Sequence, residues 1–431
     1  MQINLTIVKK WVIVDLIKRH VFFNKGQQGG DLMKKLSLIT RIILCLVLGI
    51  GVGLLCGANN IQFPVKILAT FSGLFGSFLS FVIPLIIIAF IVPGIASLGS
   101  KSGKGLIITT IIAYISTLVA GFAAYLVGIG ILPNLIKSEV SLSEAGKSIE
   151  PYFNIEIPAI MGVMSALVLA FLLGIGLSKI KNSTMLEVVD EFNSIVLMIV
   201  TKVLIPLVPI YIGCVFAKLS YSGEIFNTLR SFGIVYVILF SLQLIYIVLQ
   251  YCIAGAIKKE NPFKLIKNMI PAYMTAVGTQ SSAATIPVTL QCVKKNEVSE
   301  EVLDFVVPLG ATIHLAGDTI TLVLTSMAVM YMNGQTPTFG MIMPFIFMLG
   351  VTMIAAPGVP GGGVMAALGL LESMLGFGAV EKPIMIALHA AQDSFGTATN
   401  VTGDGAIAIV VDYIINKRNN KKEEESKLKA V

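Results

Sequence analysis

Asp393-Ser394-Phe395-Gly396-Thr397-Ala398-Thr399-Asn400-Val401-Thr402-Gly403-Asp404 is the stretch on which the reading of this chain turns. Within it Asp393, Thr397, Asn400 and Asp404 follow one another at i, i+4, i+7 and i+11. At about 100° per residue, an α-helix gathers these four within roughly 60° of arc. A polar stripe three turns long therefore runs along a mostly apolar segment, about 379–415. In water that is an ordinary solvated face. In a bilayer each carboxylate costs at least about 2.5–3.5 kcal/mol unless it finds a partner.

Composition says which solvent applies. Of 431 residues, 55% are hydrophobic and 13% charged, against about 25% charge in soluble domains, and the mean hydropathy is +0.88. Soluble enzymes, nucleic-acid binders and disordered scaffolds are excluded, and apolar runs longer than about 18 residues make the chain an all-α polytopic membrane protein. The net charge of +7 comes from short basic clusters: Lys9, Lys10, Lys18, Arg19, Lys34, Lys35 and Arg41 before the first run, and Lys417, Arg418, Lys421 and Lys422 after the last. This positive-inside pattern gives both termini to the cytoplasm and the chain to the inner (plasma) membrane. Cys45, Cys56, Cys214, Cys252 and Cys292 lack CxxC spacing and read as small buried side chains, without a disulfide framework or metal cluster.

Outward from the stripe, apolar runs predict spans at about 36–57, 65–97, 105–132, 158–180, 186–216 and 226–257. The second half is different. The run 263–293 is interrupted by Gly278-Thr279-Gln280-Ser281-Ser282-Ala283-Ala284-Thr285, and each flank is too short to cross about 30 Å. A full span is expected at 302–332. The run 339–376 is then interrupted by Ala355-Ala356-Pro357-Gly358-Val359-Pro360-Gly361-Gly362-Gly363, which cannot stay helical. The expectation is eight transmembrane helices plus two re-entrant helical hairpins, with 417–431 a cytoplasmic tail. Paired discontinuous segments point to a secondary transporter with its site at the midplane. Their unwound tips offer free backbone groups, and half-helix N-termini favour a carboxylate.

Asp318 adds a third acid, inside 302–332. From Val302 to Asn416 the sole lysine or arginine is Lys382. Asp318, Asp393 and Asp404 are therefore expected either to be protonated or to await mobile partners such as an ammonium group or a metal cation. His314 reads as a packing and hydrogen-bonding residue, and His389, one turn before Asp393, as an ordinary buried side chain.

On these motifs the chain resembles the dicarboxylate/amino acid:cation symporter family, with the glutamate-transporter fold. Gln280-Ser281-Ser282-Ala283-Ala284-Thr285-Ile286-Pro287 is similar to its serine-rich first tip, Gly358-Val359-Pro360-Gly361 to its second, and Asp393-x3-Thr397-x2-Asn400-Val401-Thr402-Gly403-Asp404 to its last helix. The resemblance implies a homotrimer in which 36–97 and 158–216 form a fixed scaffold. The remainder, 105–132 and 226–416, slides as an elevator. It implies that Asp393 takes a substrate ammonium, with Thr397 beside it, while Asn400 and the Ser281-Ser282 backbone take the α-carboxylate. Val359, Pro360 and Gly361 would belong to an outer gate. Asp404, with carbonyls near His314 and Asn400, would hold one sodium ion, and Thr312 with the second hairpin another.

Departures from the family pattern bear on the substrate. Carriers of acidic amino acids have an arginine three residues after the amine-binding acid, where this chain has Gly396, or in the first hairpin, where it has Gln280. A second substrate carboxylate would be buried unpaired beside Asp318, so acidic substrates are disfavoured. Gly396 also leaves space for a neutral side chain. Asp318 would meet that side chain, by a bond to a hydroxyl, by attracting a cation or by carrying a proton. The 311–321 segment and Ser281-Ser282-Ala283-Ala284 are closest to the serine/threonine:sodium symporters. Ala316 stands where many members have an aspartate for a third sodium, of which Ser116 and Thr117 would retain part.

The resulting expectation is a sodium-coupled importer of a small neutral amino acid (serine, threonine or alanine), lying in the lipid bilayer and binding no nucleic acid. A proton-coupled carrier of another amino acid or a dicarboxylate is its neighbour, and a channel the more distant alternative. No HExxH or GxSxG constellation suggests an enzyme. At the other end, Lys9, Lys10, Asp15, Lys18 and Arg19 interrupt 1–32, which is unlike a signal peptide. That segment is expected to be a leader before a start at Met33, the alternative being an interfacial helix around Trp11.

Overall fold

The computed structural model describes residues 38–100, 104–136, 149–180, 183–223, 225–354, 356 and 360–429. The expectations for 1–32, Gly358 and Val359 lie outside the described residues. Ile42–Val431 is one compact unit; of the segment before it, Leu38–Arg41 are described, as the opening turn of a helix.

In chain order the helices are α1 (Leu38–Ala58), α2 (Phe63–Ser100), α3 (Lys104–Leu135), α4 (Val163–Lys179), α5 (Thr184–Ile199), α6 (Ile205–Tyr221) and α7 (Ile225–Lys258). Then come α8 (Pro262–Thr279), α9 (Ser282–Lys295), α10 (Glu300–Ile313), α11 (Ala316–Met332), α12 (Phe339–Ile354), α13 (Gly362–Leu375) and α14 (Glu381–Lys429). No strand occurs among the described residues. Seven segments are long and apolar enough to cross a bilayer, where eight were expected. The difference is α4: Gly162 caps it and 158–161 stay outside, so its 17 residues reach only about 26 Å.

Local chemistry sets the boundaries. Asn261 caps α8 by accepting from Phe263 N at 2.9 Å, with Pro262 in the first helical position, where a missing N–H is harmless. Ser281 caps α9 by accepting from Ala284 N at 3.2 Å. Between α5 and α6 a π-turn spans Val200–Leu204, and Ile205 N–H reaches back to Val200 O. Pro206 and Pro209 lack the N–H groups that would keep the regular ladder there, and the extra residue absorbs the defect. Along α1 and α6 small residues bring backbones into contact: a Cβ on Gly49 would lie 2.1 Å from Gly213 O, and one on Gly213 2.6 Å from Cys45 O.

The expected full span at 302–332 is present as Glu300–Met332, with one break inside it. His314 (φ −108°, ψ 93°) and Leu315 (φ −117°, ψ 49°) leave helical geometry and separate α10 from α11. The break is held from α14: Asn400 Oδ1 accepts Gly317 N–H at 2.7 Å, one of the donors a helix start leaves free. Gly317 allows the approach, since a Cβ there would lie 2.4 Å from Gly396 O. Segment Glu300–Met332 is the most interior of the candidate spans, with 94% of its apolar window buried against 17% for α1. Polar residues can therefore sit on α10, α11 and α14, which face one another rather than lipid. Of the cysteines, Cys56, Cys214 and Cys292 are buried, but Cys45 is partly exposed and Cys252 exposed, correcting that expectation for both.

Candidate functional site

Two polar clusters lie along α14. In the first, Asp318 at the start of α11 is buried, accepting at Oδ2 from Asn400 Nδ2 and at Oδ1 from His389 Nε2, both at 2.8 Å. Asp393 Oδ2 accepts from Gly361 N at 2.8 Å, and Asp393 also bonds the Thr397 hydroxyl. Ligating atoms of Asp318, His389 and Asp393 all lie within 4.8 Å of one another. Gly361 has φ +74°, a left-handed conformation open to glycine, and caps α13. The second tip thus reaches the Asp393 carboxylate directly. Two further glycines make room for Asp318: a Cβ on Gly363 would lie 3.2 Å from its Cγ, and one on Gly396 3.4 Å from its Oδ1.

The first interrupted segment, α8 and α9, also reaches this cluster. Its break falls at Gln280 (φ 53°) and Ser281, and Gln280 Nε2 donates to Ser394 Oγ at 2.9 Å, next to Asp393. Ser282 is buried as the first residue of α9, and the Ala284 N–H is taken by the Ser281 cap. Pro360 is partly buried at the second tip.

In the second cluster His314 Nδ1 pairs with Asp404 Oδ1 at 3.0 Å, and its Nε2 meets Ser116 Oγ at 3.0 Å. Tyr246 donates to Ser116 O at 2.6 Å, and Gln250 Nε2 to Ser116 Oγ at 3.0 Å. Asp404 packs so closely on α10 that a Cβ on Gly310 would lie 2.7 Å from Oδ1. Ser116 joins this cluster, but Thr117 turns its hydroxyl to Ala113 O at 2.9 Å. Thr312 is exposed and bonds Leu309 O at 2.7 Å.

The expectation that the three acids stand alone is corrected, because each has a protein donor. Counting lysines and arginines overlooked His314 and His389, which supply two of them. The spacing did carry a signal: His389 precedes Asp393 by four residues and so shares its face. Gln243, Gln250, Gln392 and Tyr246, also part of these networks, carried none beyond being polar within apolar runs. Among the described residues no lysine or arginine pairs with any of the three acids. Lys382 is engaged elsewhere, donating to Ser80 Oγ and Glu372 Oε2 at 2.9 Å each. A cavity of about 610 Å³ lies apart from both clusters, lined by residues that include Glu150, Lys218, Gln335 and Glu381.

The first cluster brings together two carboxylates, Asp318 and Asp393, whose chemistry suits a cationic group. The second offers the hard oxygen ligands that suit an alkali cation.

Comparison with known proteins agrees in kind. The sodium:dicarboxylate symporter family matches residues 38–414. Excitatory amino acid transporter 1 of Ambystoma tigrinum is 32% identical over 160 residues, 37% of this chain and 29% of that protein. Neutral amino acid transporter A of Homo sapiens is 26% identical over 280 residues, 62% of this chain and 50% of that protein. The match thus spans half or less of those two relatives. Serine/threonine transporter SstT of Acinetobacter baumannii (strain AYE) is 27% identical over 411 residues, 90% of this chain and 99% of that protein.

Proposed function

The chain belongs to the sodium:dicarboxylate symporter family, and from that premise we propose that it imports a small neutral amino acid, of the serine, threonine or alanine kind, together with sodium. The carrying observation is the pair of buried carboxylates, Asp318 and Asp393, in one cluster with no lysine or arginine beside them. A substrate ammonium is attracted to Asp393, where it shares the carboxylate with Thr397 and Gly361. The α-carboxylate is received by Asn400 and by the Ser281-Ser282 backbone. A second carboxylate on the substrate would face Asp318 with no lysine or arginine among the described residues to balance it, which supports a neutral side chain despite the family's name. The low identity to the serine/threonine transporter is consistent with that class.

Sodium travels as a co-substrate. Asp404 is the anchor in this reading, with the unwound backbone at His314 supplying oxygen. Family membership supports the trimer and the elevator motion of α3 and α7–α14 past α1, α2 and α4–α6. The basic clusters support the plasma membrane with cytoplasmic termini. A family of symporters leaves no place for the enzyme alternative.

Purified protein in liposomes tests this. Radiolabelled serine should accumulate under an inward sodium gradient and fail to accumulate when potassium replaces sodium. Accumulation of aspartate in preference to serine would overturn the substrate class. The two buried His–Asp pairs favour one second reading, coupling to protons. Accumulation driven by a pH gradient in potassium alone would establish that instead.

A further inference from the structure

Two glutamines outside the residues assigned above lie beside the amine seat. Gln243 on α7 and Gln392 on α14 are buried, and Gln243 Nε2 donates to Gln392 Oε1 at 3.1 Å, to Thr321 Oγ1 at 3.2 Å and to Gly317 O at 3.3 Å. Gly317 O can only accept, which sets the Gln243 NH2 group towards it and leaves Gln243 Oε1 without a partner among the described residues. That fixes the other amide: Gln392 must turn its oxygen to Gln243 and its NH2 away. Yet Gln392 Nε2, fully buried, has no hydrogen-bond partner among the described residues. A buried amide donor left so is costly and calls for an acceptor.

The unused donor points at a definable place. A methyl carbon on Gly396 would lie 3.3 Å from Gln392 Nε2, 3.1 Å from Gln392 Oε1 and 3.4 Å from Asp318 Oδ1. The Gln392 amide and the Asp318 carboxylate oxygen thus both crowd the bare Gly396 backbone, which places an unsatisfied N–H group and a carboxylate oxygen against the same stretch of α14. Asp318 Oδ1 already receives His389, and a carboxylate oxygen accepts a second donor readily. An atom that both accepts and donates would complete both partners. A hydroxyl does this; a methyl does neither, and a carboxylate would collide with Asp318.

We propose that Gln392 is a specificity-determining residue that reads a substrate hydroxyl jointly with Asp318, and that Gln243 is the positioning residue that orients it. The inference rests on the neutral amino acid reading above and narrows it to β-hydroxy amino acids. Carboxylate oxygens of Asp393 and Asp318 within 4.8 Å of each other suit an ammonium and a hydroxyl on adjacent carbons. A hydroxyl one carbon farther out, as in homoserine, is too far from its ammonium for so close a pair of carboxylates.

The test measures binding of L-serine, L-alanine and L-homoserine to the full-length protein by thermal shift and by competition against labelled serine uptake. Wild type should prefer serine to either of the others by about 10- to 100-fold, because both leave the amide donor unsatisfied. Gln392→Leu should collapse the serine-to-alanine ratio at least tenfold. Gln243→Met should lower it partway, and the double variant should fall no further than Gln392→Leu alone, since Gln243 acts through Gln392. Equal binding of serine and alanine by wild type overturns the proposal without needing any variant to fold. Loss of both ligands in equal measure in Gln392→Leu also overturns it. If wild type binds no neutral amino acid, the functional reading itself fails and this inference falls with it.

Discussion

Replacing Asp393 by asparagine keeps the shape and an acceptor for Gly361 N–H but removes the charge that attracts an ammonium. A charge-assisted hydrogen bond contributes about 1.5–3 kcal/mol, so Asp393→Asn should weaken substrate binding at least tenfold while leaving the melting temperature nearly unchanged. Wild-type affinity in a binding isotherm would remove Asp393 from the amine seat. An arginine at position 396 would begin 3.4 Å from Asp318 Oδ1 and pair with it before meeting any substrate. Gly396→Arg alone is therefore expected to gain no aspartate binding, whereas Gly396→Arg with Asp318→Thr should gain it; competition by aspartate in both variants decides. At Gly403 a Cβ would lie 2.6 Å from His314 Cε1 and 2.9 Å from the Gln250 amide. Gly403→Ala should displace the imidazole from Asp404 and cost about 1–3 kcal/mol, read as a lower melting temperature and a changed sodium dependence.

At the scale of elements, what the sequence made legible follows the physics of each signal. The polar stripe of α14 was legible because an acid in oil is rare and its helical spacing is regular. Both interrupted segments were legible because Gly, Pro and Ser runs cannot propagate a helix between apolar flanks. The break at His314-Leu315 was not, since no proline or glycine stands at the junction. It is held by side chains from α14, distant in sequence, and only tertiary structure brings Asn400 to Gly317. For the same reason His314 and His389 looked unremarkable until their aspartates stood opposite. The second tip offers a test at this level. Alanine at Gly361 would occupy φ +74° with a Cβ, at a cost of about 1–2 kcal/mol. Gly361→Ala should therefore loosen the tip from Asp393 and increase protease cleavage near Pro360 and Gly361; unchanged cleavage would mean that the tip is held by something else.

For the molecule as a whole, the bond that matters most to motion is one that crosses between helix groups. Lys382 on α14 donates to Ser80 on α2, while Glu372 on α13 balances its charge. If α14 slides past α2 in each cycle, this bond must break and re-form. A net hydrogen bond contributes about 0.5–1.5 kcal/mol, so Ser80→Ala should raise turnover about two- to tenfold, with substrate affinity unchanged. An unaltered turnover number would place the slow step elsewhere. Gly361 N–H has the wider consequence. It rests on Asp393, the carboxylate proposed above for an incoming amine, so such a guest has to compete with the protein's own backbone for it. Affinity measured at equilibrium is then a difference between two rivals for one anion. Any amine able to dislodge the loop without filling the space beyond it would prop the molecule ajar, an inhibitor by default.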